Sequence, residues 1–392
     1  MIGTQPFTYE NSSNPWLMDA KCDNNIIIDG QELTAKYLWS LNTEERKEML
    51  EKVFKYYRER GFPFIFLSEE ELKDEFNKLA SKSPYSVVKS DPTTYISNSG
   101  NICIDITKHF CRDKFYEATG DKNISPLDVF KDDTLFRKVL MNRMGWNTSF
   151  EDGSERPYLF SINDKNIRAG IRNSGLAREV SNFRPLIAKY MFEYAAKKLN
   201  RETINIFDYS GGWGARALGA GSLGYSYSCV DPNTSSSIEN ICSFYNIKTS
   251  GILNLGSENE VVIESFGERV FDLCSSCPPY FTMERYSNDS TQSYNRFNSY
   301  FEWLEGYWRS TVRNCNKMMK DHAVFQLVIK DVYNKYPLKE DMMKIVHDEV
   351  ENIVSVEEIP LRTAKGHLSG KRKTGSTVKE NEWIITVERK CV

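Results

Sequence analysis

The sequence predicts an α/β protein in which a mostly parallel sheet carries helices on both faces. Two observations lead to this fold class. From residue 204 onward, short apolar runs alternate with amphipathic stretches, which is the pattern of repeated strand–helix units. The chain has 392 residues with 40% hydrophobic content, which suits one large globular domain or two ordinary ones.

The predicted elements of this part follow one another at the spacing of strand–helix units. Six apolar runs are candidate strands, at residues 204–208, 225–231, 270–274, 322–329, 354–359 and 382–387. Three stretches have helical spacing, at residues 186–199, 301–319 and 337–350. Pro337 opens the last of these helices at a first-turn position that tolerates proline.

The first 160 or so residues lack this rhythm. Helices are predicted over three stretches, residues 43–60, residues 68–81 and part of residues 125–143. Thr43 is the predicted N-cap of the first, and Ser125 or Asp128 that of the third. Residues 83–100 are polar and rich in turn formers. We therefore divide the chain into an α-rich region, residues 1–165, and a sheet domain, residues 166–392.

Bulk properties exclude several classes of protein. The net charge is −3, so any phosphate contacts must come from local basic patches. No apolar run reaches the ~20 residues that span a bilayer, and the first residues do not resemble a signal peptide. Nine scattered cysteines predict free thiols in the cytoplasm. Cys274 and Cys277 lack a second pair of ligands, so we expect no metal site. Because no long apolar run is present, we also expect no membrane partner.

A glycine-rich loop follows the first strand of the sheet domain. Gly211, Gly212 and Gly214 stand between that strand and a predicted helix. Such a loop lets the backbone approach a ligand closely and presents N–H groups at a helix start. It can serve a dinucleotide, a phosphate or S-adenosylmethionine, or it can be a tight turn.

An acidic residue ends the next predicted strand. Asp231 has the position at which a carboxylate commonly binds ribose hydroxyls. It therefore fits adenosine binding in a nicotinamide or S-adenosylmethionine site, and the alternative is a helix cap or turn. Glu258 follows further on, in the stretch of residues 255–258.

The most informative turn contains Cys277, Pro278, Pro279 and Tyr280. The two prolines fix their own φ and donate no backbone hydrogen bonds, and they favour extended geometry before them. The backbone at the end of a buried strand is thus stiff and open, with a small polar side chain and an aromatic ring held on it. This arrangement suits a flat ligand with polar edges, such as a nucleobase.

These motifs, in this order, resemble those of the amino-methyltransferases that modify DNA at cytosine N4 or adenine N6 in bacteria and phages. The similarity covers residues 178–390, beginning with a lead segment, residues 180–185, before the helix that precedes the glycine loop. It implies a Rossmann-like, seven-stranded methyltransferase sheet whose last strand is antiparallel, and S-adenosylmethionine as the cofactor. The residues implied in cofactor binding are Asp208, Gly211, Gly212, Gly214, Asp231 and Glu258.

By the same resemblance, the turn is the catalytic part of the site. Tyr280 would stack on a base flipped out of the duplex, and Pro278 or Pro279 would align a carbonyl with the target amine. Cys277 stands where the family has Asp, Asn or Ser, and a thiol is a poor acceptor. As the nearest replacement for serine it slightly favours cytosine N4. Cys277 can also be a nucleophile for pyrimidine C5, or mark an altered enzyme.

The partner implied is double-stranded DNA, as in restriction–modification. A basic stretch, residues 362–376, supplies the predicted phosphate contacts, or is a solvated basic loop without a function. These contacts are assigned to Lys365, Lys371, Arg372 and Lys373. The α-rich region is the candidate target-recognition module, and residues 282–296 resemble a loop that folds over substrate, or are an ordinary surface loop. The rival functions are methylation of RNA, protein glutamine or a small molecule, and a non-catalytic DNA-binding relative.

Overall fold

The computed structural model describes residues 24–91, 93–120, 124–145, 160–282, 286–287, 289–330, 336–362 and 382–391. Within these ranges the α-helices are α1 (Ala35–Ser40), α2 (Thr43–Arg60), α3 (Glu69–Ser81), α4 (Ile104–Phe110), α5 (Arg112–Glu117), α6 (Pro126–Lys131), α7 (Asp133–Arg143), α8 (Asp164–Asn173), α9 (Pro185–Lys198), α10 (Ala215–Gly221), α11 (Ser235–Phe244), α12 (Val261–Phe266), α13 (Ser293–Arg296), α14 (Tyr300–Trp303), α15 (Ser310–Met318) and α16 (Leu338–Glu349). A 3₁₀ turn covers Pro84–Val87, and a π-helical segment, Leu304–Arg309, joins α14 to α15.

The strands in the same ranges are β1 (Ile27–Ile28), β2 (Gln31–Glu32), β3 (Val88–Ser90), β4 (Thr94–Ser97), β5 (Asn205–Asp208), β6 (Ser226–Val230), β7 (Ile252–Leu253), β8 (Phe271–Ser276), β9 (Met319–Lys330), β10 (Ile353–Arg362) and β11 (Glu382–Lys390). β1 and β2 form a small antiparallel pair, and the others form one sheet in the order β3-β4-β10-β11-β9-β8-β5-β6-β7.

The central sheet confirms the predicted α/β class and its Rossmann-like character. β5 to β9 are all parallel, and the chain order reverses between β5 and β8. β11 lies between β9 and β10 and runs antiparallel to both, as expected of the last strand. Ligands of such sheets bind at the carboxyl ends of the strands, near the point of reversal.

The sheet is wider than predicted, because it has nine strands in the described residues and not seven. The extra strands, β3 and β4, come from the polar segment that we read as turns. β4 pairs in parallel with the end of β10, and β3 pairs with β4. Hydrogen bonds to a neighbouring strand thus form β-structure in a segment whose residues show little alternation between apolar and polar.

The helix boundaries agree with the sequence at some ends and differ at others. Asn42, and not Thr43, caps α2 in a reciprocal capping box with Glu45. The stretch 125–143 contains two helices, α6 and α7, because Asp132 ends the first and caps the second. Ser125 caps α6, as one of the two alternatives predicted.

The chain divides into two compact units. The smaller contains residues 1–70, 112–181 and 284–287, and the larger contains residues 71–111, 182–283 and 288–392. In the smaller unit, Arg60 forms an ion pair with the buried Asp164, with nitrogen–oxygen distances of 2.6 and 2.7 Å. The division into residues 1–165 and 166–392 stays a prediction.

Close helix packing positions the glycine-loop end of the larger unit. Gly219 of α10 lies against α9, and a Cβ on it would be 2.7 Å from the Cβ of Ala188 and 2.9 Å from the backbone nitrogen of Lys189. Lys189 is itself buried, and its ammonium donates to the carbonyls of Leu79, Ala80 and Lys82. These bonds complete the C-terminal end of α3, where carbonyls lack helical partners.

Within the described ranges, no helix is long and apolar enough to cross a bilayer. The same part of the chain contains no group of three or more His, Cys, Asp or Glu side chains that could hold a metal ion.

Candidate functional site

Four sequence motifs meet at the carboxyl edge of the central sheet. β5 leads into the glycine loop, β6 ends before Asp231, β7 leads toward Glu258, and β8 ends just before Cys277. Because β5 to β8 are parallel neighbours, their carboxyl ends lie along one edge. The Oγ of Ser276 donates to the carbonyl of Ser210 at 3.2 Å, which ties the Cys277 turn to the glycine loop.

Tight packing explains the glycines of the loop. Gly212 and Gly214 have φ of +59° and +79°, which favour glycine. A Cβ on Gly211 would lie 2.6 Å from Ile238 Cδ1, and one on Gly214 would lie 2.5 Å from Ile241 Cδ1. At Gly211 and Gly214 the loop backbone is therefore packed against α11, with no room for a side chain at either position.

Asp208 organises the interior of the loop. It is fully buried, and its Oδ2 accepts bonds of 2.6 Å from both Arg216 Nε and the Tyr227 hydroxyl. Its Oδ1 accepts from the Ser210 N–H, and Arg216 also donates to the Ser210 carbonyl. Burial and the neighbouring Asp208 raise the pKa of Tyr227, so this hydroxyl stays a neutral donor. The described contacts of Asp208 thus lie within the protein, and they hold the loop in shape.

Asp231 connects the ends of β5 and β6. Its Oδ2 accepts the Gly212 N–H at 2.9 Å, and its Oδ1 accepts the Asn233 and Thr234 N–H groups at 2.9 and 2.8 Å. The Thr234 hydroxyl donates to the Gly212 carbonyl. Asp231 keeps 8% of its surface exposed. Oδ2 accepts only one of these three bonds, so it keeps a lone-pair site that can accept a ligand hydroxyl while Asp231 holds the loop in place.

Glu258 presents a buried acceptor near the end of β7. Its side chain is 6% exposed and forms an ion pair with Arg296 through Oε1. Its Oε2 is buried and has no hydrogen-bond partner among the residues that the structure describes. A buried carboxylate oxygen without a donor is costly, which makes this atom a good acceptor for a ligand amine.

The Cys277 turn is held by the tyrosine that ends the motif. The Tyr280 hydroxyl donates to the carbonyl of Val328 in β9 at 3.3 Å, and it also lies 3.3 Å from the Cys277 sulfur. Cys277, Pro279 and Tyr280 are partly exposed. The ring of Tyr280 is therefore anchored at its hydroxyl end, and part of its surface remains open for contact with a ligand.

One side chain of the site was missed in the sequence reading. Arg216 is 3% exposed, and burial would lower its pKa but the neighbouring Asp208 raises it overall, so it remains a cation. It donates to the Ser210 carbonyl, which also accepts from Ser276, the residue before Cys277. No motif marks Arg216, since it reaches the site through a helix whose register only the fold defines.

The other predicted site residues fall wholly or partly outside the described part of the chain. The basic residues Lys365, Lys371, Arg372 and Lys373 lie outside the described residues. The loop prediction for 282–296 falls in part on described residues, which include the short helix α13.

Comparisons with known proteins identify no family for this chain. No protein-family model and no curated protein matches it. Among solved structures, a Burkholderia thailandensis 1,6-didemethyltoxoflavin N1-methyltransferase with bound S-adenosylhomocysteine is 9% identical, with a TM-score of 0.33, covering 52% of this chain and 79% of its own.

Two further solved structures have a similar degree of likeness. A Thermotoga maritima S-adenosylmethionine-dependent O-methyltransferase is 14% identical, with a TM-score of 0.34, covering 57% of this chain and 71% of its own. An Agrobacterium tumefaciens S-adenosylmethionine-dependent methyltransferase is 15% identical, with a TM-score of 0.36, covering 55% and 65%. At these identities and TM-scores the likeness assigns no activity to this chain.

Proposed function

We propose that this chain is an S-adenosylmethionine-dependent methyltransferase that methylates an exocyclic amine of a base in double-stranded DNA, with cytosine N4 ahead of adenine N6. The observation that carries the proposal is the meeting of the glycine loop, Asp231, Glu258 and the Cys277 turn at one sheet edge. A cofactor half and a substrate half are thereby joined through the bond between Ser276 and Ser210.

The residues of the cofactor half fit S-adenosylmethionine in chemistry. Gly211 and Gly214 present backbone alone, because a Cβ on either would collide with α11. The Oδ2 of Asp231 offers an acceptor for a ribose hydroxyl, and the unpartnered Oε2 of Glu258 offers one for the adenine amine. Bound S-adenosylmethionine supplies an activated methyl group. Asp208 would act through the loop that it holds.

The substrate half needs to orient an amine rather than remove a proton from it. Tyr280 would stack on the flipped base, held in place by the bond of its hydroxyl to Val328. A carbonyl at Pro278 or Pro279 would accept one amine hydrogen, and the sulfur of Cys277 would be the weaker second acceptor. This arrangement directs the nitrogen lone pair at the methyl group, and positioning accounts for most of the rate gain.

One observation favours a second candidate. Arg216 is a buried cation that donates to the Ser210 carbonyl, the same carbonyl that accepts from Ser276 beside Cys277, and a nearby cation favours the thiolate that pyrimidine C5 methylation requires. Asp208 already pairs with Arg216 at 2.6 Å and offsets this effect, so we rank amine methylation first.

The remaining predictions are part of the proposal. Residues 1–165 would help to recognise the target sequence, and the basic residues between β10 and β11 would bind phosphates. The described cysteines are all free of disulfides, which suits a reducing compartment, and we propose a cytoplasmic location.

The test is a methylation assay with labelled S-adenosylmethionine and double-stranded DNA, followed by mass spectrometry of the digested nucleosides. We expect N4-methylcytosine, and N6-methyladenine would retain the reaction class but change the base. The appearance of 5-methylcytosine would support the second candidate. Label in RNA or in protein alone would contradict the DNA substrate, and failure to bind S-adenosylmethionine in calorimetry would contradict the enzyme class.

A further inference from the structure

The residue directly after the Cys277 turn has a backbone conformation that is rare for its type. Phe281 has a φ of +49°, in the left-handed region where a side chain with a Cβ is strained. Such residues persist only where the surrounding structure holds them, and they are frequent at functional sites. The contacts of the Phe281 side chain therefore show what keeps the backbone in this conformation.

Three aromatic rings surround the ring of Phe281, which is 7% exposed. Its centroid lies 6.0 Å from that of Tyr300, 5.8 Å from that of Trp303 and 6.0 Å from that of Tyr336. Aromatic rings stabilise one another at such separations when they are tilted or meet edge to face, as these do. We call these four residues the aromatic cluster.

The aromatic cluster is itself anchored to neighbouring helices. Tyr300 stacks on Tyr336 with a centroid distance of 4.0 Å, and its hydroxyl donates to Asp341 Oδ2 of α16 at 2.9 Å. The fully buried Trp303 donates from Nε1 to the Ser293 hydroxyl of α13 at 3.2 Å. Because hydrogen bonds to two helices hold these rings, the aromatic cluster can impose a position on the phenylalanine that it encloses.

Two consecutive aromatic side chains connect the turn to different elements. The hydroxyl of Tyr280 bonds to the carbonyl of Val328 in β9, whereas the ring of Phe281 packs against two residues of α14 and against Tyr336. Only one peptide bond separates the two residues, so a shift of the backbone at Phe281 also shifts Tyr280. The packing of Phe281 therefore bears on the position of the ring assigned to base stacking.

We propose that Phe281 is a positioning residue for methyl transfer, which acts through the turn that precedes it. The aromatic cluster holds the left-handed backbone at Phe281, and this backbone sets the place of the Tyr280 ring and of the carbonyls at Pro278 and Pro279. The inference rests on the proposed function, since that function assigns these groups to the flipped base. It adds a residue that touches neither base nor cofactor and controls how the base is presented.

The test compares Phe281→Leu with Phe271→Leu, a matched change at the far end of β8. Phe271 is also buried among rings, with centroids 5.3 Å from Phe207 and 5.6 Å from Phe266, so the two variants should lose similar stability in urea unfolding. Phe281→Leu should lower kcat with double-stranded DNA about tenfold, because displaced groups align the reactants poorly. Phe271→Leu should keep kcat within about twofold, and both variants should keep the Kd for S-adenosylhomocysteine within about twofold.

A second measurement follows the turn without any methyl transfer. Cys277 is partly exposed, and its labelling by iodoacetamide can be followed by mass spectrometry of the peptide that contains it. The labelling should be several-fold faster in Phe281→Leu than in Phe271→Leu, because only the first change releases the turn. Tyr300→Leu removes a ring that contacts Phe281 and should cause the same changes in kcat and labelling, which keeps the inference testable if Phe281→Leu does not fold.

The outcomes separate this inference from the proposed function. Equal kcat and equal labelling rates in Phe281→Leu and Phe271→Leu overturn the inference while the proposed function stands. An equal loss of cofactor affinity and of kcat in Phe281→Leu also overturns it, since the change would then reach beyond the turn. A wild type that transfers no methyl group to DNA overturns both.

Discussion

The two halves of the site differ in the kind of contact that holds them before any ligand binds. In the glycine-loop half, Asp208 and Asp231 accept six of the hydrogen bonds described above, and the loop backbone is packed against α11. In the Cys277 turn, two prolines make the backbone rigid and the Tyr280 hydroxyl bonds to β9. A preformed pocket is expected for the cofactor, and a more adaptable one for a base that must be extruded from a duplex.

The largest effect is expected from removing the buried carboxylate of the first half. Asp208→Ala leaves the Arg216 cation buried without its main partner, which should lower the free energy of unfolding by about 3–5 kcal/mol. Urea unfolding measures this change. The control is Glu44→Ala, which breaks an exposed pair with Lys47 and should cost less than about 1 kcal/mol. Equal losses would show that the loop half is not organised around Asp208.

The second-largest effect is expected from a substitution in the Cys277 turn. Tyr280→Ala removes the stacking ring and should lower kcat by about 100-fold, roughly 2.7 kcal/mol of transition-state stabilisation. The Kd for S-adenosylmethionine should remain within about threefold, because Tyr280 lies outside the cofactor half. Methylation kinetics and calorimetry give the two numbers. A parallel loss of cofactor binding would contradict the separation into halves.

Asp231→Ala tests the same separation from the cofactor side. It removes acceptors from Gly212, Asn233 and Thr234 as well as from the ribose, and it should raise the Kd for S-adenosylmethionine about tenfold, or 1.4 kcal/mol. Calorimetry measures the change. An unaltered Kd would remove Asp231 from the cofactor site.

The smallest effect should come from Tyr280→Phe, which keeps the ring but loses its bond to the Val328 carbonyl. A long, single hydrogen bond is worth about 1 kcal/mol or less, so kcat should fall about threefold to fivefold. The comparison with Tyr280→Ala separates stacking from anchoring. A loss as large as that of Tyr280→Ala would assign the role to the hydroxyl instead of the ring.

The sequence predicted the sheet domain well, because its strands are apolar runs and its glycines and prolines have few alternative roles. It did not predict β3 and β4, whose residues lack periodicity and pair only through the edge of β10. It also missed Arg216, whose position in the site depends on the register of α10. Neither the sequence nor the fold identifies the target base, since both define only the turn that would hold it.

The partial cover of β10 bears on how the protein behaves at high concentration. β4 pairs with β10 only at Leu361 and Arg362, so the described residues pair no strand along the rest of that edge. Val354 and Val356 are 56% and 38% exposed there, which would invite a second chain to add a strand. The same strand carries two consecutive glutamates, Glu357 and Glu358, and a proline, Pro360. Charged side chains and proline on an edge strand disfavour the addition of a second chain. Substituting those glutamates with apolar residues should therefore promote aggregation without touching the site.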